Sequence, residues 1–509
     1  MIHTEVIVPI PELIRRHAQS RPNHCAWRDA AISISYGDLA KQTAALAVAL
    51  ADAGLAPGDR VALLLPNSVP WVVSCLALAR AGLVAVPISF DAAHGEVDYR
   101  LRDSETRLVI STAEKIATLQ AQGLPEGLTF MSVGAAAEGF SCYEDIVARP
   151  TTRAPRDPQD IDGAAYIVYT SGTTGRAKGV RLSARSMLWV VGACWIPIAG
   201  LNERDVVLSP LPLFHSYALN LSVLAILAVG ATEYIMERYS TAEAMRLIGT
   251  GEFTLMPGVP TMFHYLLEGA QSDAAFQFNG LRLCISAGAI MQAELNRRFE
   301  ERSGVTLVDG YGITETATMV TLNSPRSSRR PGYCGLPVPG VAVRILHPES
   351  RRDCGPEEEG ELVVRGPNLM LGYHNKSEET DKAMGDGWYR TGDLAKADPN
   401  GFLVITGRLK ELIIRGGQNI APGEIEEAAL KFPALLDCAA VGLPHAHLGE
   451  VPALFYVPRA GQSVDESALL EFLRGQISSY KVPATLASVE TIPRTGSGKV
   501  MRFKLKEMI

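Results

Sequence analysis

From its first hundred residues to about residue 320, the chain alternates short Val-, Ile- and Leu-rich runs with longer amphipathic stretches. "RVALLLPNS" reads as a buried strand, "PWVVSCLALARAG" as the helix after it and "LVAVPIS" as the next strand. Strand, helix and strand in repeated succession predict an α/β architecture with parallel sheets. Past residue 320 the texture changes. "GVAVRIL", "GELVVRG" and "GFLVITGR" are short alternating segments set off by Gly, Pro and Asp, which predict a small β-rich subdomain. A second shift, at "GRLKELIIRGGQNIAPGEIEEAALKFP", opens a compact αβ pattern that runs to Ile509. The expected boundary lies near Lys410 and divides the chain into residues 1–408 and 409–509. A length of 509 residues also exceeds what one ordinary core serves.

Composition excludes several classes. The net charge of −7 argues against a broad basic nucleic-acid surface. The eight cysteines are scattered without a CxxC pair, so neither a zinc site nor a disulfide framework is expected. The N-terminus lacks a basic start followed by a long apolar core, and the longest apolar run, near "VLAILAV", is far too short to span a bilayer. A cytoplasmic enzyme without stable membrane insertion is predicted. "RSSRR", residues 326–330, reads as a basic surface loop.

The densest chemistry lies in "YTSGTTGRAKGV", residues 169–180. A strand, "AAYIVYT", precedes this loop, and "SARSMLWVVGACW" behind it can form a helix. Glycines let backbone N–H groups approach oxyanions, hydroxyls add donors and a lysine adds charge, while a following helix would add the positive end of its dipole. The stretch therefore suits a polyphosphate. It is neither a Walker A loop nor a GxGxxG turn, and an ordinary polar surface loop is the alternative.

Together with "PLFHSY", "DGYGITET", "YRTGD", "GRLKELIIRGGQNIAPGEIE" and "PRTGSGKVMR", in that order, the loop resembles the signature set of the adenylate-forming superfamily, closest in look to acyl-CoA synthetases. The resemblance spans essentially the whole chain. It implies a large N-terminal domain of αβ-sandwich subdomains with a small β-rich subdomain, followed by a small mobile α+β C-terminal domain. It also implies ATP, Mg²⁺ and coenzyme A as the molecules handled. The reaction would be activation of a carboxylic acid to acyl-AMP, then transfer to the CoA thiol. Loading of a carrier protein's phosphopantetheine is the alternative acceptor.

Site residues follow from the same resemblance. Thr170, Ser171, Gly172, Thr173, Thr174 and Lys178 would hold the β- and γ-phosphates. Thr314 would donate to the α-phosphate and Glu315 would bind Mg²⁺, although Thr and Glu also cap helices. Asp309 and Tyr311 of the same motif are assigned to the nucleotide, and Asp393 with Arg408 to its ribose. His215 would flank the acid's carboxylate, the alternative being a packed core histidine. Lys499 would bridge the attacking carboxylate and the α-phosphate, Lys410 would be the hinge, and Gly416 and Gly417 would line the pantetheine path or form a tight turn. Trp189, Gly192, Tyr217, Val259, Ala287 and Gly288 are the expected acid-pocket residues, with Asn220, Pro260 and Thr261 beside them. Mostly apolar linings fit a modest-sized aliphatic or aromatic acid.

Overall fold

The computed structural model describes residues 1–135, 139–170, 177–416, 418–494 and 499–508, with the side chain of residue 419 outside the description. They fall into two compact units. The first comprises Met1–Pro331, Gly335–Ala342 and Arg365–Tyr389, and the second Gly332–Cys334, Val343–Val364 and Arg390–Ile509. The boundary expected at 408/409 falls inside the second unit, between the strand Leu403–Arg408 and the turn Leu409–Glu411.

Two large sheets build the first unit. In the eight-stranded sheet, Arg60–Leu64 pairs in parallel with Val84–Pro87 on one side and Thr106–Thr112 on the other. Its residues 61–64 are all buried, as a strand covered on both faces requires. The helix Val69–Ala81 that follows is apolar nearly all round and is buried accordingly. Ser68 caps its start by accepting from the Trp71 N–H, and Gly82, at φ +74°, ends it in the left-handed conformation. The rhythm in the sequence is therefore a parallel α/β layer, as predicted.

The nine-stranded sheet has a parallel centre of Cys25–Arg28, Thr232–Ile235, Val206–Ser209, Leu255–Gly258, Leu283–Ser286 and Thr306–Tyr311. Four of these strands run directly into the segments expected to carry chemistry. Val206–Ser209 leads to "PLFHSY", Leu255–Gly258 to "VPTMF", Leu283–Ser286 to "AGAIM" and Thr306–Tyr311 to "GITET". Ligands of open α/β sheets lie outside the carboxyl ends of the strands, where these loops emerge.

In the second unit the predicted β-rich segments are strands. Residues 343–346, 360–364, 390–397 and 403–408 belong to one sheet. C-terminal to them, Leu435–His445 and Gly449–Pro458 form a long antiparallel hairpin. Both of its faces are buried, with the side-chain period of two that a strand imposes. Cys438, Ala440, Leu454 and Tyr456 pack with Ile425, Leu469 and Leu473, while Ala439, Val441, Ala453 and Phe455 pack with Ile492 and Leu505.

Candidate active site

The hydroxyl-rich loop joins two antiparallel strands, Ala164–Thr170 and Lys178–Ser183, with Thr170 opposite Lys178. This corrects the expected strand–loop–helix order. The helix starts only at Ala184, capped by the Ser183 hydroxyl accepting from the Ser186 N–H at 3.0 Å, so no helix dipole follows the loop directly. Side-chain periodicity in "KGVRLS" is too short to separate strand from helix. Ser171, Gly172, Thr173 and Thr174 lie outside the described residues. The stem is tied down by the Tyr99 hydroxyl, which donates to the Ala177 carbonyl at 2.8 Å.

Among the described residues, Lys178 meets two partners. Its Nζ lies 2.6 Å from Glu379 Oε2 and 4.7 Å from the centre of the Tyr373 ring. The lysine's hydrogen bond holds the Glu379 carboxyl below its usual range. Tyr373 also reaches Glu315. Its hydroxyl donates to Glu315 Oε1 at 3.1 Å and lies 3.1 Å from the Tyr389 hydroxyl. Burial, and then the charge on Glu315, push the Tyr373 phenol up, so it remains a donor.

The Thr314–Thr316 turn follows the strand Thr306–Tyr311 at once. Its backbone is tight. Gly312 has no room for a Cβ, which would overlap the Thr318 carbonyl, and Ala317 and Thr318 take φ values of +49° and +99°. Left-handed conformations in a β-branched residue are costly and concentrate where a site over-determines the backbone. The turn is capped by the Thr316 hydroxyl, which accepts from the Ile313 N–H at 3.3 Å, while the Glu315 carboxylate accepts from Tyr373. The Thr314 hydroxyl is buried and lies 3.1 Å from the Ser216 hydroxyl, which links this turn to "LFHSY".

His215 is half-buried at the start of that segment, and its Nδ1 accepts from the Tyr217 N–H at 3.3 Å. An accepting Nδ1 puts the proton of the neutral ring on Nε2. Asp309 is buried on its strand. Burial pushes its carboxyl up, opposed by the Gly310 N–H and the Ser286 hydroxyl. Tyr311, two residues on, is buried as well.

Four of the six expected pocket residues gather at the strand ends. The buried Tyr217 donates to the Ile285 carbonyl at 3.2 Å, the Ala287 N–H donates to the Gly258 carbonyl, and Gly288 (φ +87°) faces Val259. Tyr217 stacks on Trp195, with ring centres 6.1 Å apart. Trp195 in turn donates to Asn220 at 2.6 Å, joining two π-helical segments, Val191–Trp195 and Leu219–Ala225. Such turns recur at functional sites. The other two have different neighbours. A Cβ on Gly192 would meet the His3 carbonyl oxygen at 2.5 Å, and Trp189 packs over Gly340. A side chain at 192 would therefore displace the N-terminal segment first. Pro260 and Thr261 begin the helix Pro260–Ser272.

In the second unit, Asp393 and Arg408 are register partners on neighbouring strands, and Arg408 Nε lies 2.8 Å from Asp393 Oδ1. Lys410 is exposed in the turn Leu409–Glu411. Gly416, at φ +58°, closes the turn between Ile413–Arg415 and Gln418–Ile420, in keeping with the tight-turn reading, and Gly417 lies outside the described residues. Lys499 is half-buried on the hairpin where Arg494 and Val500 pair. Two guanidinium groups flank it. Arg494 binds both oxygens of Asp437 at 2.9 and 3.0 Å. Arg502 reaches Glu411 at 3.0 Å and Glu426 at 3.0 Å.

Tyr373, Glu379 and Ser216, and the carboxylates that hold the lysine hairpin, were not singled out by sequence reasoning. Ser216, Tyr389, Glu411, Glu426 and Arg502 lie inside quoted motifs, but nothing local announces their partners. "RSSRR" is also more than a solvated loop, since Arg329 makes a bidentate pair with Glu300 at 2.5 and 2.9 Å.

Residues 14–374 match the AMP-binding enzyme family and residues 424–499 the AMP-binding enzyme C-terminal domain. A feruloyl-CoA synthase from an Amycolatopsis species is 33% identical over 96% of this chain and 97% of its own length. An indoleacetate–CoA ligase from Aromatoleum aromaticum is 32% identical over 98% of each chain. The crystal structure of ATP-bound MatB from Rhodopseudomonas palustris is 31% identical, with a TM-score of 0.89 over 98% of each chain. The chain belongs to the AMP-binding enzyme family, as its motifs led one to expect.

Proposed function

We propose that this member of the AMP-binding enzyme family activates a modest-sized hydrophobic acid, preferably one carrying an aromatic ring, and delivers it to coenzyme A. Its class is that of AMP-forming acid–thiol ligases. The acid's carboxylate attacks the α-phosphorus of ATP and pyrophosphate leaves. The CoA thiol then attacks the acyl carbon of the adenylate, and AMP leaves. Adenylation makes this possible by replacing a poor leaving group with a good one.

One observation carries the reading above the others. Lys178 and the Thr314–Glu315 turn, remote in sequence, meet through one side chain, Tyr373. In the proposed reaction Thr170 and Lys178, with Ser171, Gly172, Thr173 and Thr174, hold the leaving phosphates. Thr314 donates to the α-phosphate, and Asp309 and Tyr311 serve the nucleotide. Asp393 and Arg408 hold the ribose through charge-assisted bonds. His215 flanks the carboxylate, and Lys499 offsets the charge that builds in the transition state. Glu315 beside a hydroxyl fits Mg²⁺, which takes one or two carboxylates and completes its shell with phosphate oxygens and water. When bound, Mg²⁺ would neutralise charge on the transferring phosphate.

The aromatic preference is supported by the Tyr217–Trp195 stack beside Val259, Ala287 and Gly288, and by the ring-bearing acids in the relatives' names. We further propose that residues 409–509 form a domain that turns at Lys410 between the two steps, presenting Gly416 and Gly417 to the pantetheine arm. The cytoplasm, where ATP and CoA are supplied and thiols stay reduced, suits the eight free cysteines; among the described residues no helix is long and apolar enough to cross a membrane.

The test is pyrophosphate release across a panel of acids, with CoA and with phosphopantetheinylated carrier proteins. Aryl and arylalkyl acids with CoA should give the highest kcat/KM. Straight-chain acids ahead of every aromatic acid would overturn the ring preference, and ADP as product would overturn the reaction.

A further inference from the structure

We propose that Tyr373 is a positioning residue with two functions, its hydroxyl aiming Glu315 at a divalent cation and its ring holding Lys178 for a polyphosphate. The inference rests on the functional reading of Glu315 and Lys178 given above.

Tyr373 is itself firmly placed. It lies on the two-residue strand Gly372–Tyr373, antiparallel to Lys178–Ser183, with Tyr373 opposite Val180. Its N–H donates to the Thr380 hydroxyl at 2.9 Å, and the next N–H, of His374, donates to the Gly179 carbonyl at 2.7 Å. The residue is buried, so its ring has little freedom.

From that anchor it makes two unlike contacts. A phenol has one proton to donate. Because Glu315 Oε1 can only accept, that proton goes to Glu315, and the Tyr389 hydroxyl must donate to Tyr373. The chain therefore runs in one direction, from Tyr389 to Tyr373 to Glu315. A carboxylate held through one oxygen has the direction of its other oxygen set, which a cation with strict octahedral geometry requires. The ring's contact is with the Lys178 ammonium, 4.7 Å from its centre. A cation over a π face keeps its charge and all three donors, so Lys178 remains able to bind phosphate once it exchanges Glu379 for that ligand.

The two functions separate by substitution. Tyr373→Phe removes the hydroxyl and keeps the ring, whereas Tyr373→Leu removes both. Binding of Mn²⁺ in the presence of a non-hydrolysable ATP analogue, followed by electron paramagnetic resonance, reads the first. Metal-free binding of the same analogue reads the second. Tyr373→Phe should weaken Mn²⁺ by about tenfold, as expected for a lost hydrogen bond to a charged group. It should leave metal-free binding within about twofold, inside the scatter of near-neutral substitutions. Tyr373→Leu should weaken metal-free binding as well, by about threefold. Unchanged Mn²⁺ affinity in Tyr373→Phe overturns the proposal, as does metal-free binding equally affected by Phe and Leu. Glu315→Gln is the reference. If it leaves Mn²⁺ binding intact, the reading of Glu315 itself fails; if it weakens Mn²⁺ while Tyr373→Phe does not, only the Tyr373 proposal falls.

Discussion

Lys178 and Lys499 are supported in opposite ways. Around Lys178 the linking groups are mostly neutral: a phenol ring, two phenol hydroxyls and the turn that carries Glu315. Charge enters through the lysine, Glu379 and Glu315, all of which a polyphosphate and its counterion would engage or displace. Around Lys499 full charges do the holding. Arg494 is spent on Asp437, and Arg502 on Glu411 and Glu426. The first region joins one ion pair, Lys178 with Glu379, to a phenol ring and hydroxyls that fix directions. The second uses charge as structure, with ion pairs on either side of Lys499 in the sequence.

The largest test of this contrast is Lys499→Ala. Acyl-adenylate formation should fall at least about a hundredfold, the scale of losing a charge aimed at a transition state. Thioester formation from synthetic adenylate should persist. Lys178→Ala should chiefly raise the KM for ATP. The two half-reactions, assayed separately, check this, and equal loss of both steps in the Lys499 variant would break the assignment.

Next is Arg502→Met, which strips the partner from two carboxylates. The Arg502 and Glu426 side chains are only 18% and 17% exposed, so the cost to the second unit should reach about 3 kcal/mol. Arg494→Met should cost less, about 1 kcal/mol, because the pair it makes with Asp437 is 24% and 23% exposed. Urea unfolding followed by a probe in the second unit gives both values. The reverse ranking would mean that the Asp437 side anchors the hairpin.

The smallest effect is expected at Glu379→Gln. Its pair with Lys178 is half-exposed and contributes no more than about 1 kcal/mol. The carboxyl is held below its usual range, so this stabilisation is present above the ordinary carboxylate range and lost as pH falls through the lowered value. Glutamine removes a competitor for Lys178, and the KM for ATP should drop about twofold while the thermal midpoint at neutral pH changes little. A rise in that KM would show that Glu379 assists phosphate binding.

Much of this was legible in the chain itself. The α/β layers, the β-rich segments at 340–346, 360–366 and 401–408, and the final αβ region announce themselves because strand and helix periodicities are local, and buried parallel strands read as unbroken apolar runs. The site motifs were legible because each is a short stretch that resembles a signature of the adenylate-forming superfamily. What followed the hydroxyl-rich loop was not, since six residues do not distinguish a strand from the start of a helix. Nor was the direction of Gly192, which depends on where residues 3–6 lie against it.

From the sequence alone came the layered architecture, because strand and helix periodicities are local, while the family and the groups expected to do chemistry came from the resemblance of its motifs to the adenylate-forming superfamily. That Tyr373 stands between Lys178 and Glu315, and that Arg502 joins Glu411 to Glu426, emerged with the folded chain. Those contacts join residues from distant stretches of chain. They exist because burial of the sheets and of the long hairpin brings those stretches together, and neither partner carries a local sign of the other.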